Sequence, residues 1–181
     1  MEILTPANQL TLLRLALVPV FALCMFYDRP GWALIAFAAA AVTDLFDGLV
    51  ARWFRQQTTL GAWLDPMADK LLLLTMFVML TLPFGQANRL PIWLTVIVIS
   101  RDIGIILTVA IVNLAVGPRT FRPSIFGKAA TAIYLVTGVA TLLFNYLGSP
   151  SAVVTTLVYA SLVITLISGI DYLRRSARSL P

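Results

Sequence analysis

Residues 32–53 read WALIAFAAAAVTDLFDGLVARW, and this stretch decides the fold class. It is long and apolar enough to cross the hydrocarbon core of a bilayer as a helix, which takes about 20 residues. Five more runs of similar length and composition lie on either side of it. We therefore predict an all-α integral membrane protein with six transmembrane helices. The predicted spans are Leu10–Tyr27, Trp32–Trp53, Ala62–Leu82, Pro91–Val116, Ala129–Leu147 and Val153–Leu173.

The composition excludes other classes of protein. Of the 181 residues, 60% are hydrophobic and 12% are charged, whereas a soluble domain is roughly 25% charged. The net charge of +5 is spread thinly between apolar runs, so we expect a lipid bilayer as the partner and no nucleic acid. The connectors are short and no repeat is visible. Residues 1–181 are therefore predicted to form a single membrane domain, with a short interfacial helix within residues 1–8.

Basic residues predict the orientation. If the N-terminus is cytoplasmic, nine Lys and Arg residues lie on the inner side and two, Arg29 and Arg89, on the outer side. This bias is a strong positive-inside signal. We expect both termini and the active site to face the cytoplasm, in a cell inner membrane. The nine inner residues are Arg14, Arg52, Arg55, Arg119, Arg122, Lys128, Arg174, Arg175 and Arg178.

Four of the eight acidic residues fall in or beside the second and third spans. Asp44 and Asp47 are three residues apart, and Asp65 and Asp69 are four apart, so each pair shares one face of a helix. A charge inside a bilayer costs at least ~2.5 kcal/mol, and four clustered carboxylates also need a compensating cation. Because the chain has no His and a single Cys, a hard ion bound through oxygen (Mg²⁺, Mn²⁺ or Ca²⁺) is the metal site that these residues favour.

Each of these features also has a plain structural reading. Asp65-Pro66 is a common way to begin a helix. Small residues such as Gly48 and Ala51 allow helices to pack closely, and Arg52 suits a positive-inside anchor. Taken together, however, four acids on two helix faces favour a functional site.

The full pattern is Asp44-x₂-Asp47-Gly48-x₂-Ala51-Arg52-x₈-Gly61-x₃-Asp65-x₃-Asp69. It resembles the complete signature of the CDP-alcohol phosphatidyltransferase family, with every fixed position met. The stretch Asn8-x-Leu10-Thr11-x₂-Arg14 also resembles the beginning of the first span in that family.

The resemblance implies a reaction in which CDP-diacylglycerol donates its phosphatidyl group to an alcohol and CMP leaves. It implies that Asp44, Asp47 and Asp65 are metal ligands, and that Asp69 is the general base and also touches a metal. Two ions, Mg²⁺ or Mn²⁺, would neutralise the charge that the pyrophosphate brings into the site. The resemblance also implies a homodimer. The residues expected to line the nucleotide site are Gly48, Ala51, Arg52 and Gly61.

The acceptor is expected near basic residues of the later spans. Arg101 either pairs with Asp102 inside the fourth span or binds a phosphate of the acceptor. Lys128 is either a phosphate contact or a positive-inside anchor. Arg119 and Arg122 are more typical of anchors, and Arg119 is also a candidate acceptor contact together with Arg101 and Lys128. An excess of basic residues favours an anionic alcohol, and the stretch around Asp65 resembles the glycerol 3-phosphate branch of the family. Glycerol 3-phosphate is therefore the predicted acceptor, with phosphatidylglycerophosphate as the product.

Two alternatives stay open. Ile99-Ser100-Arg101-Asp102 and Pro123-Ser124-x₂-Gly127-Lys128-x₂-Thr131 resemble the cardiolipin synthases of the same family, which use phosphatidylglycerol as the acceptor. An alternative of another class is a cation transporter that uses the intramembrane acids as its path. The complete motif and the lack of an inverted repeat argue against a transporter.

Overall fold

The computed structural model describes residues 6–54, 59–116 and 124–177, and in these ranges the backbone forms six helices and no strand. The all-α prediction is therefore confirmed for this part of the chain. The helices are α1 (Pro6–Phe26), α2 (Pro30–Phe54), α3 (Thr59–Thr81), α4 (Ile92–Val116), α5 (Ile125–Tyr146) and α6 (Ala152–Ala177).

Within the described residues, four of the helices are long and apolar enough to cross a membrane. Their surfaces carry many exposed large apolar side chains, including Leu114 at 89% and Ile125 at 80%. Apolar surface of this extent is unusual for a soluble protein and marks contact with lipid or partner protein. The chain is therefore a multi-pass membrane protein. The four apolar segments are Gln9–Phe26, Ile92–Ile111, Ile125–Tyr146 and Ala152–Arg175.

Two sequence expectations concern the ends of helices. Of the predicted interfacial helix within residues 1–8, residues 6–8 belong to α1, and residues 1–5 lie outside the described ranges, so that part stays a prediction. Asp65-Pro66 does not begin a helix, because α3 starts at Thr59 and Pro66 lies inside it. A proline there has no N–H to donate to the carbonyl four residues earlier, so that turn of α3 lacks one helical hydrogen bond.

The contacts divide the chain into two compact units. The first contains α1, α2, α3 and the C-terminal part of α5. In it, α1 packs against both α2 and α3. The ring centroids of Phe21 and Phe37 lie 5.6 Å apart across the α1–α2 contact. The buried face of α1 follows helical spacing and consists of Thr11, Arg14, Val18, Phe21 and Met25.

A glycine and an amide cluster join α5 to the rest of this unit. Gly138 lies so close to α3 that a Cβ atom on it would be 1.8 Å from Sδ of the buried Met76. Nearer the end of α5, Asn145 accepts a hydrogen bond from the backbone N–H of Asn88 (2.7 Å). Asn145 also donates to the carbonyl of Asn88 and to the side chain of Gln86, both at 3.0 Å. The α3–α4 connector is thereby fixed to the end of α5.

The second unit contains α4, the N-terminal part of α5 and α6. Hydroxyl groups line the contact between α5 and α6, where Tyr134 bonds Thr165 (2.6 Å) and Thr137 bonds Ser161 (2.9 Å). All four residues are buried. Between helices in an apolar medium, such hydroxyl pairs act as polar contacts that set the register of one helix against the next.

Candidate active site

The backbone brings the four aspartates of the motif onto two helices that touch. Asp44 and Asp47 lie near the end of α2, while Asp65 and Asp69 lie in the first half of α3. The two helices are in contact with each other. Helical register places each pair on one face of its helix, as the spacing predicted. The other motif positions occupy the same two segments.

Most of the predicted site lies outside the described side chains. These residues are Asp44, Asp47, Gly48, Ala51, Arg52, Gly61 and Asp65, and their roles stay predictions. Arg119 and Arg122 fall in residues 117–123, which are also outside the described ranges. The described candidate residues are Asp69 in the first unit and the basic residues Arg101 and Lys128 in the second, and each unit is described by itself.

Asp69 forms an ion pair with Arg14. The Nη1 atom of Arg14 donates to Oδ1 of Asp69 across the contact between α1 and α3. The Asp69 side chain is 41% exposed, whereas that of Arg14 is completely buried. Arg14 is one of the nine basic residues of the predicted inner side. Because its side chain is completely buried, it does not act as an anchor, which keeps its charged end in water or among headgroups.

Arg101 is enclosed by polar partners. Its Nη1 atom donates to Oδ1 of Asp102 (2.7 Å), and its Nη2 atom donates to Oγ of Ser168 on α6 (2.5 Å). The intramembrane pair with Asp102 that the sequence left open is therefore present. Ser168 is buried and was missed, because nothing in a lone serine 67 positions away connects it with Arg101.

The start of α5 lies against the same guanidinium group. Ser124 caps this helix, since its Oγ accepts from the backbone N–H of Gly127 (3.0 Å). A Cβ atom on Gly127 would lie 3.4 Å from Nη2 of Arg101, an ordinary van der Waals contact, so this first turn of α5 packs directly against the guanidinium group. The next residue, Lys128, is exposed. Two cations and a helix N-terminus thus occur together, an arrangement that attracts anions.

Arg101 also lines an apolar cavity of about 300 Å³ between α4 and α6. Gly104 and Gly169 face this space, and a Cβ atom on either would have nothing within 4 Å. Apolar side chains, including Ile97 and Leu173, form most of the remaining wall. The cavity therefore has a cationic residue in a lining that is mostly apolar, with hydroxyl groups from Thr108, Thr165 and Tyr172.

The four carboxylates on two touching helices of the first unit suit a protein that binds charged groups through a divalent ion. Comparison with known sequences identifies its class: a sequence model of the CDP-alcohol phosphatidyltransferase family matches residues 4–167. The chain belongs to this family. The predicted enzyme class, a phosphatidyltransferase of phospholipid biosynthesis, is thereby confirmed, and the cation transporter is not supported.

The named relatives belong to two branches of the family, the phosphatidylglycerophosphate synthases and the cardiolipin synthases. A probable phosphatidylglycerophosphate synthase of Mycobacterium tuberculosis is 34% identical over an alignment of 182 positions. The alignment covers 96% of this chain and 82% of the relative. The human cardiolipin synthase (CMP-forming) is 35% identical over 164 residues, covering 80% of this chain and 53% of the relative. A CDP-diacylglycerol–glycerol-3-phosphate 3-phosphatidyltransferase of Pseudomonas fluorescens is 41% identical over 103 residues, covering 53% and 50%.

Enzymes of this family generally depend on a divalent metal ion. The donor set fits such an ion, because carboxylate oxygens are the ligands that hard divalent cations prefer and the four aspartates lie on two touching helices. Among the side chains that the structure describes, no three acidic, His or Cys residues come together. Three of the four expected ligands lie outside that set.

Proposed function

We propose that the protein transfers the phosphatidyl group of CDP-diacylglycerol to glycerol 3-phosphate, giving phosphatidylglycerophosphate and CMP. The observation that carries this choice is the relative from M. tuberculosis, which bears the name of that activity and matches 96% of the chain. The basic cluster of Arg101 and Lys128 beside the start of α5 suits a phosphate on the acceptor.

In this proposal the acceptor hydroxyl attacks the phosphorus that bears the diacylglyceryl group. A new P–O bond forms, the bond from that phosphorus to the bridging oxygen breaks, and CMP leaves with the bridging oxygen. Asp69 lies against the acceptor hydroxyl and takes its proton late in the transfer. Gly48, Ala51, Arg52 and Gly61 line the cytidine diphosphate site.

Asp44, Asp47, Asp65 and Asp69 would hold two divalent ions, Mg²⁺ or Mn²⁺. When bound, these ions would neutralise the negative charge on the phosphoryl oxygens and on the departing CMP. The acceptor site consists of Arg101, Lys128 and Arg119. All of these groups belong to one domain, residues 1–181, with six spans, both termini in the cytoplasm and the active site on the cytoplasmic side of the cell inner membrane. The homodimer stays a prediction.

An acceptor panel tests the proposal. Purified protein receives CDP-diacylglycerol and Mg²⁺ or Mn²⁺ with glycerol 3-phosphate, phosphatidylglycerol, inositol phosphate or serine, and CMP release is measured. We expect turnover with glycerol 3-phosphate and its loss when a chelator removes the metal. Turnover with phosphatidylglycerol alone would contradict the proposed acceptor.

A second candidate is the transfer of the phosphatidyl group to phosphatidylglycerol. The apolar cavity beside Arg101 favours it, because a lipid acceptor has acyl chains that need such a space and glycerol 3-phosphate has none. An apolar cavity of about 150 Å³ already holds a benzene molecule, so a space of about 300 Å³ suits part of an acyl chain. The human cardiolipin synthase resembles the chain at a similar level of identity.

Filling the cavity separates the two candidates. Gly104→Leu and Gly169→Leu place a side chain in the open space without a clash at Cβ. If phosphatidylglycerol is an acceptor whose chain lies there, these variants lose turnover with phosphatidylglycerol and keep turnover with glycerol 3-phosphate. Ala110→Leu, on an exposed position of α4, is the matched control. Equal turnover with phosphatidylglycerol in all three variants would exclude the cavity as its binding site.

A further inference from the structure

Arg14 is a completely buried arginine in the middle of an apolar helix face. Its neighbours along that face, Thr11 and Val18, are buried as well. Removing a guanidinium group from water is costly unless the group is paired and hydrogen-bonded. In a membrane helix, a buried ionisable residue marks a functional site by default, and its partner indicates which one. Arg14 therefore needs an explanation that neither helix packing nor topology provides.

Arg14 pairs with Asp69, the aspartate of the motif whose side chain the structure describes. Nη1 of Arg14 donates to Oδ1 of Asp69, and the two residues lie on different helices, α1 and α3. The two ends of the pair are unlike: the arginine is enclosed and the carboxylate is 41% exposed. The arginine is thus the fixed member, and the carboxylate is the member that a substrate can reach.

We propose that Arg14 is a positioning residue, which holds the Asp69 carboxylate in the orientation that the transfer requires. The inference rests on the proposed function, in which Asp69 takes the proton of the acceptor hydroxyl. The guanidinium group is planar and rigid, and it fixes the direction of a carboxylate better than an ammonium group does. Loss of the arginine changes the orientation of this half-exposed carboxylate, and a misplacement of about 1 Å costs about 10²-fold in rate.

A purely structural pair would behave differently from a positioning pair. If Arg14 only stabilised the contact between α1 and α3, its replacement would lower the folded fraction, and the surviving enzyme would turn over normally. If it positions Asp69, the folded enzyme binds its donor normally and reacts slowly. Separate measurement of kcat and KM on the folded fraction distinguishes the structural role of Arg14 from the positioning role.

The experiment uses the full chain in lipid–detergent micelles and compares Arg14→Met, Arg14→Lys, Asp69→Asn and the double variant Arg14→Met/Asp69→Asn. We expect Arg14→Met to lower kcat about 10²-fold, with the KM for CDP-diacylglycerol within about threefold of the parent. Arg14→Lys should recover part of the loss. Because residues that act as one unit are not additive, Arg14→Met should have little further effect once Asp69 is Asn. Arg29→Met removes an exposed arginine and is the control.

The outcomes separate this inference from the proposed function. Normal kcat in Arg14→Met overturns the inference. The inference is also overturned if Arg14→Met lowers kcat by the same factor in the parent enzyme and in the Asp69→Asn background. Normal turnover in Asp69→Asn overturns the proposed base instead. If Arg14→Met does not fold, Arg14→Lys decides: normal kcat in this folded variant would show that only the charge matters, and would overturn positioning by the planar group.

Discussion

At the scale of single residues, Asp69 has the most specific role to test. We predict that Asp69→Asn lowers turnover by about 10²–10⁴-fold, the usual contribution of a general base, because an amide cannot accept the proton of the acceptor hydroxyl. Binding of CDP-diacylglycerol should survive, since the other three aspartates remain. CMP release measures turnover, and the shift of the thermal midpoint with CDP-diacylglycerol measures donor binding.

Asp28→Asn is the matched control for this change. Asp28 is an exposed acid in the α1–α2 turn, where its φ angle of 53° also suits asparagine. The turnover of Asp28→Asn should equal that of the parent enzyme. Near-normal turnover in Asp69→Asn would remove Asp69 from the role of base.

The sequence predicts the role of a residue better when the partner of that residue is near in the chain. Asp65 and Asp69 share a helix face through simple spacing, so their relation is visible without a structure. The positive-inside count includes Arg14 because a buried arginine and an interfacial one occupy the same kind of position near the start of an apolar run. Its partner is 55 residues away, and no periodic signal connects the two.

At the scale of helices, Gly138 determines how closely α5 approaches α3. We predict that Gly138→Ala destabilises the protein by about 1–3 kcal/mol, the usual cost of overpacking, because its Cβ would lie 1.8 Å from Sδ and 3.2 Å from Cγ of Met76. Thermal unfolding in detergent measures the effect. Met76→Ala should relieve it, so the double variant should lose less stability than the sum of the single variants.

Gly104→Ala is the control for helix propensity, since its Cβ has nothing within 4 Å. Alanine is a better helix former than glycine by about 1 kcal/mol, and this substitution should therefore be neutral or stabilising. Equal effects of alanine at positions 104 and 138 would show that the contact with Met76 does not limit the approach of the helices.

The sequence was sufficient to predict that these helices form, but it did not predict at which residues all of them begin and end. The apolar runs correctly located α4 and α6 to within a few residues, because hydropathy over about 20 residues is a strong signal. Helix α5 begins at Ile125, four residues before the predicted span, since Ser124 provides a cap outside the apolar run. Pro66 was compatible with a helix start but lies within α3, which begins seven residues earlier at Thr59.

At the scale of the whole molecule, composition alone predicted a helical membrane protein, and the ordered motif predicted its family. The acceptor was not predictable to the same degree. Arg101 and Lys128 suit any phosphate, so charge does not separate glycerol 3-phosphate from a phosphodiester lipid. The property that separates them is the open space at Gly104 and Gly169, and a sequence does not show whether a helix glycine faces a neighbour or a cavity.

The orientation in the membrane is the last prediction, and it rests on the distribution of charge. With the buried Arg14 removed from the count, eight basic residues remain on the predicted inner side against Arg29 and Arg89 on the outer side. The bias is still strong. In a Cys24→Ala background, Arg29→Cys should react with a membrane-impermeant maleimide in intact right-side-out vesicles. Arg174→Cys should react only after the vesicles are permeabilised, and the reverse pattern would place the active site on the outer face.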